Sequence, residues 1–150
     1  MTSSADMEPA RTKPQRKADV IARLESDVDL WVASADASGA TYLIPLSFYW
    51  DGAALTVSTP RTSRTAVNLT RAGTARVALG ETRDVVLIEG LVEVGADPEV
   101  QEQHARASGF DPRTLDDYAY LRITPRAIQA WREVNELAGR WVMRDGEWLA

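Results

Sequence analysis

The nine residues Val57-Ser58-Thr59-Pro60-Arg61-Thr62-Ser63-Arg64-Thr65 are the part of the chain best equipped to bind an anion. Pro60 stops a run with strand character, and the pattern that follows is that of a short helix. Such a junction offers unpaired backbone N–H groups and the positive end of a helix dipole. Besides Ser58, the hydroxyls of Thr59, Thr62, Ser63 and Thr65 can donate to phosphate oxygens. Arg61 and Arg64 occupy the first turn, although an exposed cation there opposes the macrodipole by roughly 0.3–1 kcal/mol. No carboxylate occurs between Asp51 and Glu81, yet Arg61, Arg64, Arg71 and Arg76 all fall inside that window. In a chain of net charge −5 this is a local reversal of sign. A solvated loop whose arginines pair with carboxylates elsewhere fits the same composition, so the pattern permits a phosphate site without requiring one.

The other reactive residue types are sparse. Without cysteine there is no disulfide, thiolate nucleophile or thiolate metal site. The single histidine, His104, stands in a polar helix pattern beside Glu102 and Arg106 and reads as a surface residue. One histidine and no cysteine exclude the common zinc arrangements, so no metal ligand is assigned. No GxSxG, GxGxxG or GxxxxGK[ST] motif is present, and no side chain stands out as a catalytic acid, base or nucleophile. Pro45 interrupts the apolar run Tyr42–Trp50 and marks an edge strand or a bulge, either against a flat ligand or with none. The five tryptophans, Trp31, Trp50, Trp131, Trp141 and Trp148, exceed what so small a core needs, and some are expected at an interface or ligand.

These residues need a scaffold, and the periodicity supplies one. Residues 1–16 carry Pro9 and Pro14 and no apolar period, so they are expected to be a disordered tail. The remainder, 17–150, is one domain's worth of chain with 45% hydrophobic residues. A short helix from Lys17 to about Ser26 precedes strands at Leu30–Ala35, Tyr42–Trp50 and Leu55–Thr59, the last two joined by a tight hairpin at Asp51-Gly52. A helix from about Ser63 to Arg71 closes at Gly73, and strands follow at Ala75–Leu79 and Val85–Val94. Asp97-Pro98 opens a third helix that Gly109 ends. Strands Tyr118–Ile123 and Ala127–Val134 are separated by a break at Thr124-Pro125, and a small hairpin turns at Asp145-Gly146. Short antiparallel strands with a few helices describe a small barrel, with a ferredoxin-like sandwich as the competing arrangement. The acidic balance disfavours nucleic acid, no apolar run is long enough to span a bilayer, and a cytoplasmic location is the simplest expectation.

In order along the chain stand Pro45-Leu46-Ser47-Phe48 before Asp51-Gly52, Ser58-Thr59 with Ser63-Arg64-Thr65 and Asn68-Leu69, and Arg83-Asp84-Val85 leading to Glu89-Gly90. Thr124-Pro125-Arg126 with Ile128 and Trp131, then Arg140-Trp141, complete the series. With these pieces at these spacings the chain resembles the pyridoxamine 5′-phosphate oxidase-like superfamily of FMN-binding split barrels, which includes deazaflavin (F420)-dependent reductases. The resemblance implies a mainly β (α+β) fold, a six-stranded antiparallel split barrel with short peripheral helices, and a homodimer with cofactor sites at its interface. It matches Ser58, Thr59, Ser63, Arg64 and Thr65 to the segment that holds the cofactor phosphate. Pro45, Leu46 and Ser47 match the strand under the flavin ring, and Trp131 and Arg140 match residues contributed by the partner subunit.

The sequence departs from the oxidases themselves. Their arginine-rich ring strand ending in Leu-Lys is replaced by Tyr-Leu-Ile-Pro-Leu-Ser. Thr65 stands where many relatives have lysine, and Asp84 where the oxidases have glutamine. Oxidation of a B6 vitamer is therefore not expected. The implied activity is hydride transfer by FMN, or alternatively F420, to a small organic substrate. A non-catalytic cofactor carrier or sensor, or a structural dimer with a degenerate site, is the alternative, and a haem binder is limited by the single histidine.

Overall fold

Alternating burial along most of the strands sorts their side chains between one core and one outer surface. In the computed structural model, which describes residues 7–150, eight strands form a single antiparallel sheet. They are β1 (Asp29–Ala35), β2 (Thr41–Trp50), β3 (Leu55–Pro60), β4 (Thr74–Glu81), β5 (Asp84–Val94), β6 (Tyr118–Trp131), β7 (Trp141–Arg144) and β8 (Glu147–Trp148). The order is β3-β2-β1-β4-β5-β6-β7-β8, and β3 also pairs with β6. That extra pairing closes the first six strands into a barrel and leaves β7 and β8 as an appended hairpin. The inward set, with Val32, Phe48, Leu55, Val57, Val77, Ile88, Leu121, Ile123 and Ile128 nearly inaccessible, fills the barrel. The barrel and the peripheral helices agree with the architecture read from the sequence; the sandwich alternative does not.

Three helices surround it: α1 (Lys13–Ser26), α2 (Arg64–Ala72) and α3 (Pro98–Ser108). The stops at Gly73 and Gly109 are where the sequence put them, each glycine in the left-handed conformation that relieves the last turn (φ 72° and 74°). Asp145-Gly146, with φ of 52° and 78°, turns β7 into β8 as expected.

Three boundaries differ. Helix α1 starts at Lys13 rather than Lys17, because the Thr12 hydroxyl accepts from the Gln15 N–H and proline is tolerated in the first turn. Of the segment expected to be a tail, residues 1–6 lie outside the described residues, and Arg11 and Arg16 are bonded to the rest of the fold. The Arg16 guanidinium donates from Nη1 to the carbonyls of Ala130, Glu136 and Gly139, each at 3.0 Å. Arg11 pairs with the buried Glu136 at 2.7 Å. Strand β6 does not end at Thr124-Pro125; it runs on to Trp131, and the irregularity is one extra residue in β6, Arg126, left without a partner between Pro125 opposite Gly90 and Ala127 opposite Glu89. Gly90 is required there, since a Cβ would lie 2.7 Å from the Thr124 carbonyl oxygen. Finally, Asp51-Gly52 belongs to a four-residue loop rather than a two-residue hairpin, its Asp51 carboxylate accepting from the N–H groups of Ala53 and Ala54.

Among the described residues no helix is long and apolar enough to cross a membrane.

Candidate functional site

The candidate site arises where two strands part. β2 pairs with β1 from Thr41 to Ser47 but with β3 only from Phe48 to Trp50. Before Phe48 the β3-facing edge of β2 is unpaired, and Pro45 sits in that stretch, where a missing N–H breaks no bond to β3. This is the edge position expected for it. Beyond Val57, β3 stays bonded to β6 alone, with Ser58 opposite Tyr120, Thr59 opposite Ala119 and Pro60 opposite Tyr118. The two strands thus diverge, and α3 packs across the gap, leaving a cavity of about 280 Å³.

Pro45, Leu46 and Ser47 line one side of this cavity and Ser58, Thr59 and Pro60 the other; His104, Ser108, Phe110 and Tyr118 complete it. Five of the ten residues singled out from the sequence thus share one space. Ser63 joins them indirectly. The Thr59 hydroxyl donates to Ser63 Oγ at 3.0 Å, and that oxygen accepts the Ala66 N–H as the N-cap of α2. The first turn of α2 holds no acidic residue and begins with Arg64, whose exposed guanidinium lies 5.7 Å from the centre of the Tyr42 ring. The cap of α2 is thus tied to the cavity wall through Thr59, while Arg64 stands outside the lining, over Tyr42.

The remaining three residues lie elsewhere. Thr65 is fully buried, its hydroxyl without a partner among the described residues. Trp131 ends β6 opposite Val85. Arg140 donates to the Gln129 side chain and the Leu137 carbonyl. Neither of the last two lines this cavity. Asp84, noted as a departure, lines a different space beside α1, where Arg23 and Arg132 neutralise it at 3.1 and 3.3 Å.

His104 is not the surface residue its helix suggested. Only 1% of it is exposed, and neither ring nitrogen has a partner among the described residues. Burial pushes its pKa below the ordinary value, opposed weakly by the charge of Asp111, so the ring is neutral at pH 7. The helix sequence Pro98–Ser108 is polar enough to look fully solvated, yet Val100, His104 and Ser108 recur at i, i+4 and i+8. That spacing was the available signal for a buried face.

The fold is a six-stranded antiparallel barrel with a cleft between diverging β2 and β3. The pyridoxamine 5′-phosphate oxidase family model matches residues 19–132. The chain belongs to that family. Among solved structures it is similar to a conserved hypothetical protein from Mycobacterium tuberculosis, at 18% identity and TM-score 0.66, covering 90% of this chain and 92% of that one. An F420 reductase aligns at 17% identity and TM-score 0.61, covering 71% of this chain and 93% of its own. A heme binding protein from Mycobacterium smegmatis aligns at 16% identity and TM-score 0.68, over 91% of this chain and 60% of that one. No curated protein sequence matches the chain.

Proposed function

We propose that the protein is a flavin-binding oxidoreductase, using FMN or alternatively F420, that acts as a homodimer with its cofactor sites at the subunit interface. The observation that carries this reading is the meeting of Pro45–Ser47, Ser58 and Thr59 around one cavity, with Thr59 hydrogen-bonded to Ser63, the N-cap of α2. The donor set fits a phosphorylated, flat ligand. A phosphate at the start of α2 would meet free N–H groups, the helix dipole and the Arg64 guanidinium, with no carboxylate in that turn to oppose it.

FMN or F420, when bound, supplies the hydride chemistry. The chain's own part is to hold and orient. Arg64 with the hydroxyls of Ser58, Thr59 and Ser63 would fix the phosphate, and Pro45–Ser47 would support the ring. Pro60, Phe110 and Tyr118 would keep water from it. No side chain is assigned a proton transfer.

Support for the homodimer comes from the outer sheet face. Pro45, Trp31, Ala78 and Leu87 lie in one cross-strand row, and Leu43 and Ala33 start the next. Trp31 is 49% exposed and Leu43 60%. An exposed apolar patch of this kind suits a partner, and through Pro45 it borders the cavity. Trp131 and Arg140 would then reach the site from the partner subunit.

The heme binding neighbour makes a non-catalytic carrier the competing reading. Titrating the dialysed protein with FMN, F420 and haem, followed by absorption and fluorescence, separates them. Saturable binding of FMN or F420 at one site per chain is expected, with Arg64→Ala weakening it at least about tenfold through loss of a charge-assisted contact. Binding of haem alone, or of nothing, refutes the flavin reading; unchanged affinity in Arg64→Ala refutes the phosphate assignment.

A further inference from the structure

We propose that His104, with Tyr120 beside it, is a binding residue that reads the uncharged amide edge of a planar ring held in the cavity under α3. The inference rests on the reading of that cavity as the cofactor site. It starts from an imbalance. Both nitrogens of the His104 ring and the hydroxyl of Tyr120 are buried, and none has a hydrogen-bond partner among the described residues. Burying polar atoms unpaired is destabilising, and natural interiors avoid it. Here three such atoms fall on two rings in contact, edge to face at 5.7 Å.

Their location is specific. His104 is part of the cavity wall, one helical turn before Ser108, which lines it too. Tyr120 stands directly opposite Ser58 in the β3–β6 register, and cross-strand partners share a face of the sheet. Ser58 also lines the cavity. The unpaired groups therefore cluster at the α3 side of the same space whose other walls are Pro45–Ser47 and Thr59–Pro60. The neighbouring polar groups are already committed: the Ser108 hydroxyl donates to the His104 carbonyl, and the Ser47 hydroxyl to Asp29.

The chemistry of the ligand follows from the protonation state. A neutral imidazole offers one N–H donor and one acceptor, and a phenol offers the same pair. Their complement is a ligand edge that also carries a donor beside an acceptor and bears no charge. A cyclic amide or imide, N–H next to C=O, has that pattern, and the rings of FMN and F420 both present one. The flanking Pro45, Pro60, Phe110 and Tyr118 supply flat apolar contact for such a ring.

The test uses FMN and F420 as probes on the wild-type chain and on His104→Phe, His104→Gln and Tyr120→Phe. Affinity is read by fluorescence titration and folding by thermal melting. His104→Phe and Tyr120→Phe should each bind the preferred probe about tenfold or more weakly, with a melting temperature no lower than wild type, since each removes an unpaired polar group. His104→Gln keeps a donor and an acceptor and should bind within a few-fold of wild type. If His104→Phe does not fold, the nearly isosteric Tyr120→Phe decides. Wild-type affinity in both phenylalanine variants overturns this inference and leaves the cofactor reading standing. Failure of the wild-type chain to bind either probe overturns both.

Discussion

Replacing Glu136 by glutamine should cost about 3 kcal/mol of stability at neutral pH, and the structure supplies the arithmetic. Glu136 is 2% exposed. Burial by itself would hinder its ionisation. The Arg11 side chain and backbone N–H, and the charges of Arg11 and Arg16, outweigh that and hold the pKa at about 2, against an ordinary value of 4.5. A depression of about 2.5 units corresponds to roughly 3 kcal/mol favouring the ionised folded form. Removing one member of a buried pair costs about 3–5 kcal/mol by independent reasoning. Glutamine preserves the shape but removes the countercharge: Arg11 is left with Asp19 alone at 3.1 Å, and Arg16 keeps only its backbone carbonyl partners. With a urea slope of about 2 kcal/mol/M, the unfolding midpoint should drop by about 1.5 M. The pH dependence carries the sign. Because the folded pKa lies below the unfolded one, this contribution is complete above about pH 4.5 and vanishes as pH falls toward 2. The gap between wild type and Glu136→Gln should therefore close over that window. A difference under 1 kcal/mol at pH 7, or a gap unchanged between pH 5 and 2.5, would refute the reasoning.

A chain beginning at residue 17 should be destabilised more than Glu136→Gln in the same urea assay, since it lacks both Arg11 and Arg16; retention of the wild-type midpoint would return these residues to the status of a tail. If the proposed homodimer forms through the Trp31 face, the wild-type chain should scatter light as a dimer at micromolar concentration and Trp31→Glu as a monomer, with the far-ultraviolet spectrum unchanged, because a charge then stands in the apolar row between Pro45 and Ala78; a monomeric wild-type chain rules this out. Gly90→Ala should lower stability by about 1–3 kcal/mol, because the added methyl meets the Thr124 carbonyl oxygen at 2.7 Å in a stretch of paired backbone. A melting temperature equal to wild type would show that the strand shift opposite Pro125 has slack.

Much of the barrel was legible because strand alternation and punctuation are local. Val86 and Ile88 in β5 declare an inner face by period two, and Gly73 and Gly109 end their helices where left-handed residues must stand. Helix α1 was misplaced for the complementary reason. Its first turn is polar, and its evidence is a cap and a proline, Thr12 and Pro14, which also suit a tail. The continuity of β6 was hidden because Pro125 signals a break locally, while the strand absorbs it as one unpaired residue, Arg126, and pairs again from Ala127. Half of the cavity could be named in advance: Pro45, Ser58 and Thr59 from a proline and hydroxyls at strand ends, which are visible one segment at a time, and Leu46 and Ser47 only through the family resemblance. The wall supplied by α3 could not. The i, i+4, i+8 spacing of Val100, His104 and Ser108 marks one face of the helix but is too polar to read as buried by itself, and what that face meets is a property of the assembled fold.

The arginine clamp on α1 also sets when the molecule can fold. Apart from Asp19, which also pairs with Arg11, the C-terminal groups that receive Arg16, Arg11 and Lys13 lie 114 to 128 residues further along the chain. The barrel itself closes only when β3 finds β6. A nascent chain leaving the ribosome at ~5–20 residues per second would carry its first helix without a dock for on the order of ten seconds. High sequence separation of this kind slows folding, because loop closure must precede the contacts that reward it. Assembly is thus expected to be late and concerted, gated by synthesis of the segment after Ala130.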